Sequence, residues 1–273
     1  MKETLKYFPF LIFLIACHND NQKNISGNLL DEEAATQISL EDSLPVISWF
    51  NPASLDTTII FDEVTVTLKV TDSIPIESYF LSNKIIDSIA SVYSNFHDRA
   101  FVIESLTMPE FDEYVYKDSI VFVKLSDGSW KKLVADEFLD SSDPTFEYFF
   151  EEAGYYSLRV QWSEGNGYLL VNYVTGEETS IFGRPYFSKN SEYVISVNED
   201  IIANYSMNGF QLFRSDKGYL YLLAEFNPKV WGPEAAIWID QNTVILKCKT
   251  VQEKGYDSWD LNFYCELSFS ING

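Results

Sequence analysis

From about residue 145 to its end the chain alternates short apolar, aromatic runs with turn signals, and this rhythm constrains the fold more than any other feature. YYSLRVQW leads to Gly165-Asn166-Gly167, and YLLVNYV leads to Thr175-Gly176. EYVISV, IIANYSM, Asn208-Gly209, FQLF, a turn at Ser215 to Gly218 and YLYLLAEF follow. AAIWI, a turn at Asp240-Gln241-Asn242 and TVILKCK then lead to a long final run. Runs of this length, rich in Val, Ile, Tyr and Phe and bounded by Gly, Asn and Asp, are β-strands. Asn-Gly between two such runs predicts a tight hairpin. Aromatic residues make up 16% of the chain, enough for a large β-core. The pattern predicts an antiparallel β-meander over residues 145–273.

The meander contains a faint repeat. Phe150 and Tyr156, Phe187 and Tyr193, and Trp238 and Val244 each place a bulky residue, a polar turn and a new strand at the same spacing. Within it, GRPYFSKNSEYVIS resembles the blade motif P-x-F-S-P-D-G-K-x-[LI] of TolB-like and WD-repeat β-propellers. Lys189-Asn190-Ser191 stands where that family has Pro-Asp-Gly. The resemblance implies a propeller-like meander with room for about three blades of the usual length. A β-sandwich is the alternative.

Ahead of the meander, residues 46–140 read as a small α+β unit. Val64, Val66, Leu68 and Val70 alternate with Thr65, Thr67 and Lys69, a half-buried strand. SIVFVKL (119–125) is a second strand, Asp127-Gly128 a turn, and Trp130 to Val134 the return. Leu81, Ile85, Ile89, Val92 and Phe96 recur at helical spacing behind Ser82, which predicts one helix near 82–96 packed on a small sheet.

The N-terminus reads differently. Lys2 and Lys6 precede a short apolar run from Phe8 to Ile15, interrupted by Pro9. That run is about half the length needed to span a bilayer and has the form of a secretory signal peptide. Leu14-Ile15-Ala16-Cys17 resembles the lipobox of bacterial lipoproteins. The resemblance implies cleavage after residue 16 and lipidation of Cys17, with palmitate-type acyl chains as the membrane anchor. His18 rather than Asp after the cysteine implies the outer membrane. Residues 17–45 are polar, acidic and poor in aromatics, the composition of a disordered tether.

A formal net charge of −22 opposes nucleic-acid binding, which needs clustered Lys and Arg. Two cysteines remain beyond Cys17. Cys248 and Cys265 flank a turn centred near Tyr256, so they are expected opposite each other in a hairpin, as a disulfide or as two buried thiols. His97 is the one histidine of the expected body, and no G-x-S-x-G elbow, P-loop, dinucleotide fingerprint, H-E-x-x-H or EF-hand loop accompanies it. Asp140, Asp143 and Glu147 cluster near Pro144 without the spacing of a calcium loop. Asp42-Ser43-Leu44, Asp56-Thr57-Thr58, Asp72-Ser73-Ile74, Asp87-Ser88-Ile89 and Asp118-Ser119-Ile120 resemble the D-[ST]-apolar acceptor motif for O-glycosylation of exported bacterial proteins.

These features lead to a cell-envelope lipoprotein that acts as a binding or scaffold module for an envelope protein or a glycan, with no metal or cofactor. Trp231 in VWGPE, and Tyr256 and Trp259 in KGYDSWD, are the loop aromatics expected at its contact surface. Two alternatives stand beside it. One is a carboxylate-dependent enzyme acting on glycans, which requires a cleft with two facing acids and a raised pKa on one of them. The other is an acidic immunity or inhibitor lipoprotein.

Overall fold

A computed structural model describes residues 45–72, 83–134, 144–162, 164–254 and 257–272. The expected signal peptide, Cys17 and nearly all of the expected tether lie outside these residues, as do Ser43, Ser73, Leu81, Ser82, Asp140, Asp143 and Tyr256. Among the described residues strands hold 56% and helices 12%, the sheets are antiparallel, and one is curled into a half-barrel. The fold class is mainly β.

Four sheets follow one another in the chain. The first holds β4 (Val115–Asp118), β5 (Ile120–Lys124) and β6 (Trp130–Lys132). The second runs β7 (Thr145–Phe150), β8 (Tyr155–Trp162), β9 (Gly165–Asn172) and β10 (Glu178–Ile181). The third runs β11 (Arg184–Phe187), β12 (Tyr193–Asn198), β13 (Gly209–Asp216) and β14 (Tyr219–Phe226). The fourth is built on β15 (Trp231–Trp238), β16 (Thr243–Lys254) and β17 (Asp257–Ile271). It is completed from the other end of the chain by β1 (Ile47–Ser48), β2 (Asp56–Ile60) and β3 (Val64–Thr71).

Each sheet meets the next through an apolar layer. Val115, Val121, Val123 and Leu133 pack on Phe146, Phe149 and Leu158 of the second sheet. Tyr155, Tyr168 and Leu170 pack on Val194 and Phe213 of the third. Ile195, Val197, Phe210 and Leu212 pack on Leu68, Val244, Leu246 and Leu267 of the fourth. β12 therefore contributes to two layers, Val194 to one and Ile195 and Val197 to the other. This is why YVISV is a continuous apolar run rather than an alternating one. Four sheets in chain order is not the two-sheet arrangement of a sandwich.

The expected unit 46–140 is divided in the structure. β3 alternates as expected, with Val64, Val66 and Leu68 buried. It pairs with β2 on one side and with β17 on the other, from Ile271↔Val64 to Tyr264↔Thr71, while the strand at 119–125 belongs to a separate sheet. A period-two pattern specifies a buried face and leaves the partner strand open. The single helix expected near 82–96 is two: α1 (Asn83–Val92) and α2 (Phe96–Thr107). Asn95 breaks the run and caps α2, its side chain accepting the His97 N–H at 2.7 Å. The inner face of α2 carries Ala100, Ile103, Glu104 and Thr107, all buried. The Glu104 carboxylate accepts the Phe146 N–H at 2.8 Å and pairs with Lys117, so α2 is tied to the first residues of β7.

The faint repeat marks real positions. Phe150, Phe187 and Trp238 end β7, β11 and β15, which open the second sheet, the third sheet and the C-terminal part of the fourth. Each is followed by a turn and the next strand of its sheet.

Candidate functional site

A cleft of about 450 Å³ opens where the second, third and fourth sheets and α2 meet. Its charges come from β7, β11, β15 and their partners. Glu147 lies on β7, Arg184 on β11 and Glu234 on β15. Glu147 is not on the cleft wall, but it orients what is: Arg184 Nε donates to its Oε1 at 2.9 Å and the Tyr168 hydroxyl to its Oε2 at 2.8 Å. Burial pushes the Tyr168 phenol up to about 12, so it remains a donor. Arg159 of β8 and Arg99 of α2 complete the cationic part of the wall. Arg99 also donates to the carbonyls of Tyr93 and Ala90, at 2.5 and 3.3 Å, closing the C-terminal turn of α1. The chain has four arginines, and three of them line this cleft.

The neighbouring wall is acidic. The ladder between β15 and β16 slips between Pro233 and Ala235, leaving Glu234 as the extra residue of a bulge. Released from the ladder, its carboxylate reaches Lys247 and Lys249, both at 2.8 Å. Lys249 also lies 3.5 Å from Asp260 and 3.8 Å from Glu199. Burial raises the Glu199 carboxyl above its ordinary range, against the Ile201 N–H and Lys249, which lower it. Burial also acts to raise Glu234, but its hydrogen bonds from Lys247 and Lys249 prevail and hold it below that range. Two carboxyls on one ammonium are thus driven apart.

The rim is a loop that the sequence pattern does not reveal. IIANYSM, expected as a strand, is irregular, and Asn208-Gly209 is not a tight turn: β12 and β13 are joined by residues 199–208. The loop satisfies its backbone with its own side chains instead of a ladder. The Asp200 carboxylate accepts the N–H groups of Asn204 and Ser206. Glu199 accepts from Ile201, and Asn208 from Asp200. Buried Asn208 donates to the carbonyls of Pro228 and Trp231, at 2.5 and 2.9 Å. Ser206 accepts the Asn166 N–H at 2.8 Å, fixing the rim to β9. Gly165 allows that approach, since a Cβ there would lie 2.5 Å from the Tyr205 carbonyl oxygen.

The expected contact aromatics do not meet here. Trp231 is 4% exposed and packs among Phe50, Phe226 and Phe263, so it is core and not contact surface. Its neighbours Gly and Pro give VWGPE the look of a loop, but the segment opens β15. Trp259 is exposed on β17, donating to Gln252 at 2.9 Å. Cys248 and Cys265 are free and buried. The hairpin is present, but its register pairs Cys248 with Phe263 and Cys265 with Leu246. The two cysteines are diagonal neighbours rather than opposite, and diagonal neighbours have backbones about 7–8 Å apart, a span that a disulfide does not bridge without backbone movement. His97 occupies the first turn of α2 against the Phe101 ring, 4.5 Å between centroids. Among the described residues no group of His, Cys, Asp and Glu is placed to hold a metal. Of the D-[ST]-apolar segments, Asp118-Ser119-Ile120 forms the turn between β4 and β5, with Ser119 at φ 63°.

The signal for the cleft was the repeat itself: Glu147, Arg184 and Glu234 stand three, three and four residues before its bulky members. No family model matches the chain, and neither does any curated protein or solved structure.

Proposed function

We propose that the protein is a lipid-anchored binding module of the bacterial cell envelope, and that the cleft receives a small anionic ligand. One observation carries the second statement. In a chain of net charge −22, three of four arginines converge on one cleft. Guanidinium groups present a planar fork that fits carboxylate, sulfate or phosphate, and a general need for solubility does not gather them. The acidic neighbour wall then selects against dianions of any size and favours a ligand that also carries donors, such as a sugar acid. The stacking of sheets in chain order, with β3 closing the last, supports the propeller-like reading. The lipobox supports the anchor at Cys17.

The test uses the full chain in detergent. Sugar acids, with dianionic sugar phosphates as the comparison expected not to bind, are screened for an upward shift in Tm, on the natural chain and on Arg159→Gln. A compound that stabilises the first and not the second supports the cleft. A screen with no shift, or equal shifts in both, removes it. Incorporation of labelled palmitate, lost in Cys17→Ser, tests the anchor.

A second reading has its own support. Glu199 and Glu234 share Lys249 and are displaced in opposite directions, the arrangement of a proton donor beside an ionised carboxylate. This is the condition set for a carboxylate-dependent, glycan-acting enzyme. Release of nitrophenol from a panel of nitrophenyl glycosides, abolished in both Glu199→Gln and Glu234→Gln, is the outcome that would replace binding by hydrolysis.

A further inference from the structure

The outer face of the first sheet carries an aromatic cluster that no part of the cleft uses. Alternation puts Val121, Val123 and Leu133 inside and leaves Tyr116, Phe122, Lys124, Trp130 and Lys132 outside. Tyr116 and Phe122 are a directly opposed cross-strand pair, stacked with centroids 4.7 Å apart and planes within 4°. Trp130, which pairs with Lys124 in the ladder, leans across β5 to meet the Tyr116 ring edge-on, also at 4.7 Å. Tyr116 is 39% and Trp130 42% exposed. Three touching rings at a surface are more than a sheet of three short strands needs, since its buried layer already lies on the opposite face.

The charge around the rings is the reverse of the chain's. Residues 117–132 hold four lysines against two aspartates, within a chain of net charge −22. Lys117 is taken by Glu104 and Lys131 by Glu178. No carboxylate among the described residues pairs with Lys124 or Lys132, and both stand on the aromatic face.

We infer that this face binds an acidic polysaccharide, its pyranose rings on Tyr116 and Trp130 and its carboxylates on Lys124 and Lys132. A pyranose presents axial C–H groups, slightly positive, to the negative face of an aromatic ring, and its hydroxyls to water around the rim. A polymer of uronic acids adds one carboxylate per ring, which the two lysines answer. Flexible acidic peptide offers the charge without a flat apolar face. A nucleic acid offers both, but its charge density is opposed by the acidity of the rest of the chain. The site is on a different sheet from every cleft residue named above, so it stands whether or not the cleft binds a ligand.

The experiment is affinity electrophoresis of the full chain in neutral detergent, through gels containing polygalacturonate, alginate or hyaluronan, with dextran as the uncharged comparison. At least one uronate polymer retards the natural chain and dextran does not. Trp130→Ala weakens that retention about tenfold, the scale of one lost aromatic contact. The double variant Lys124→Gln, Lys132→Gln leaves the rings in place, and its retention loses most of its salt dependence. Lys132 is exposed and Lys124 half-buried on the outer face, and neither pairs with a carboxylate among the described residues, so this variant keeps the fold. No retardation by any of the three polymers overturns the proposal, as does equal retardation of natural and doubly substituted chains. Equal retardation by dextran overturns the acidic class. Flotation with vesicles containing phosphatidylglycerol, reduced by the same substitutions while the polymers have no effect, assigns the face to a membrane instead.

Discussion

Glu147 and Glu234 lie in different sheets, yet each is the extra residue of a β-bulge, on β7 and on β15. A bulged residue has no ladder partner, so its side chain is free to be aimed. Glu147 is aimed at Arg184 and Tyr168, Glu234 at Lys247 and Lys249. The same backbone device, repeated, delivers the two acids that organise the cleft.

The Glu147–Arg184 pair joins the second sheet to the third. Glu147 has a side chain only 3% exposed. Removing it takes the buried acceptor from Arg184 and from the Tyr168 hydroxyl, and loss of one member of a buried pair costs up to about 3–5 kcal/mol, less where the partner is partly exposed as Arg184 is. Glu147→Ala is therefore expected to unfold at markedly lower urea concentration than the natural chain. Glu178→Ala, which removes the exposed partner of Lys131, is expected to change stability by less than about 1 kcal/mol. Equal midpoints for the two variants would deny the buried pair its role.

The two tryptophans expected at a contact surface separate in the same way. Trp231 fills the layer between the third and fourth sheets, and Trp231→Ala is expected to cost about 3–5 kcal/mol in chemical denaturation. Trp259 sits at the exposed end of a hairpin, and Trp259→Ala is expected to stay within about 1 kcal/mol. Their fluorescence should also divide, Trp259 being open to iodide quenching and Trp231 shielded from it.

Legibility followed the physics of each segment. Strands with one buried face, such as Val64–Thr71, announce themselves by alternation, and two-faced strands such as Tyr193–Asn198 by apolar continuity. The repeat at Phe150, Phe187 and Trp238 located β7, β11 and β15 without showing that their charged residues converge. α2 was hidden because its inner face includes Glu104 and Thr107, polar residues buried only because partners await them in β7, β4 and the helix itself. Asn95 followed by Asp98 was the available sign of its start. The pairing of β3 with β17 depends on contacts two hundred residues apart in sequence, which local pattern does not encode.

The cysteine register has a direct chemical readout. Burial pushes the Cys265 thiol up to about 12 and Cys248 well above its ordinary value, so neither is a thiolate near neutrality. In a Cys17→Ser chain, no thiol is expected to react with Ellman's reagent in the folded state, and two are expected to react in guanidinium. A folded chain without reactive thiols in either condition would mean a disulfide, and a register different from Cys248↔Phe263.

The acids around Lys249 predict opposed pH effects. Glu199 has its pKa raised in the folded chain, so the folded state binds the proton more tightly than the unfolded one. Its contribution is present below the ordinary value of 4.5 and is lost as pH rises through the folded value. Glu234 has its pKa lowered, so its contribution is present above 4.5 and is lost as pH falls through the folded value. Between about pH 4 and pH 7, the Tm of Glu199→Gln relative to the natural chain should therefore climb. That of Glu234→Gln should fall as pH rises toward 4.5 from below and stay level above it. Parallel curves for both variants would show that the two carboxyls share one environment.

Loop 199–208 gives the last prediction, and it separates order in the loop from stability of the fold. Asp200 holds the loop by accepting the N–H groups of Asn204 and Ser206, while the sheets beneath it are held by their own ladders and apolar layers. Asp200→Ala removes both acceptors and leaves the Asn208 bonds to Pro228 and Trp231 in place. Amide hydrogen exchange is then expected to speed up at Asn204 and Ser206, with β12 and β13 unchanged and the stability from urea unfolding changed by no more than about 1 kcal/mol. Because the loop is one wall of the cleft, a ligand found by the Arg159 screen should bind Asp200→Ala more weakly even though the variant never touches the arginines. Faster exchange spread through β12 and β13 would mean that the loop supports the sheet. Unchanged affinity would mean that the ligand sits on the arginine side alone.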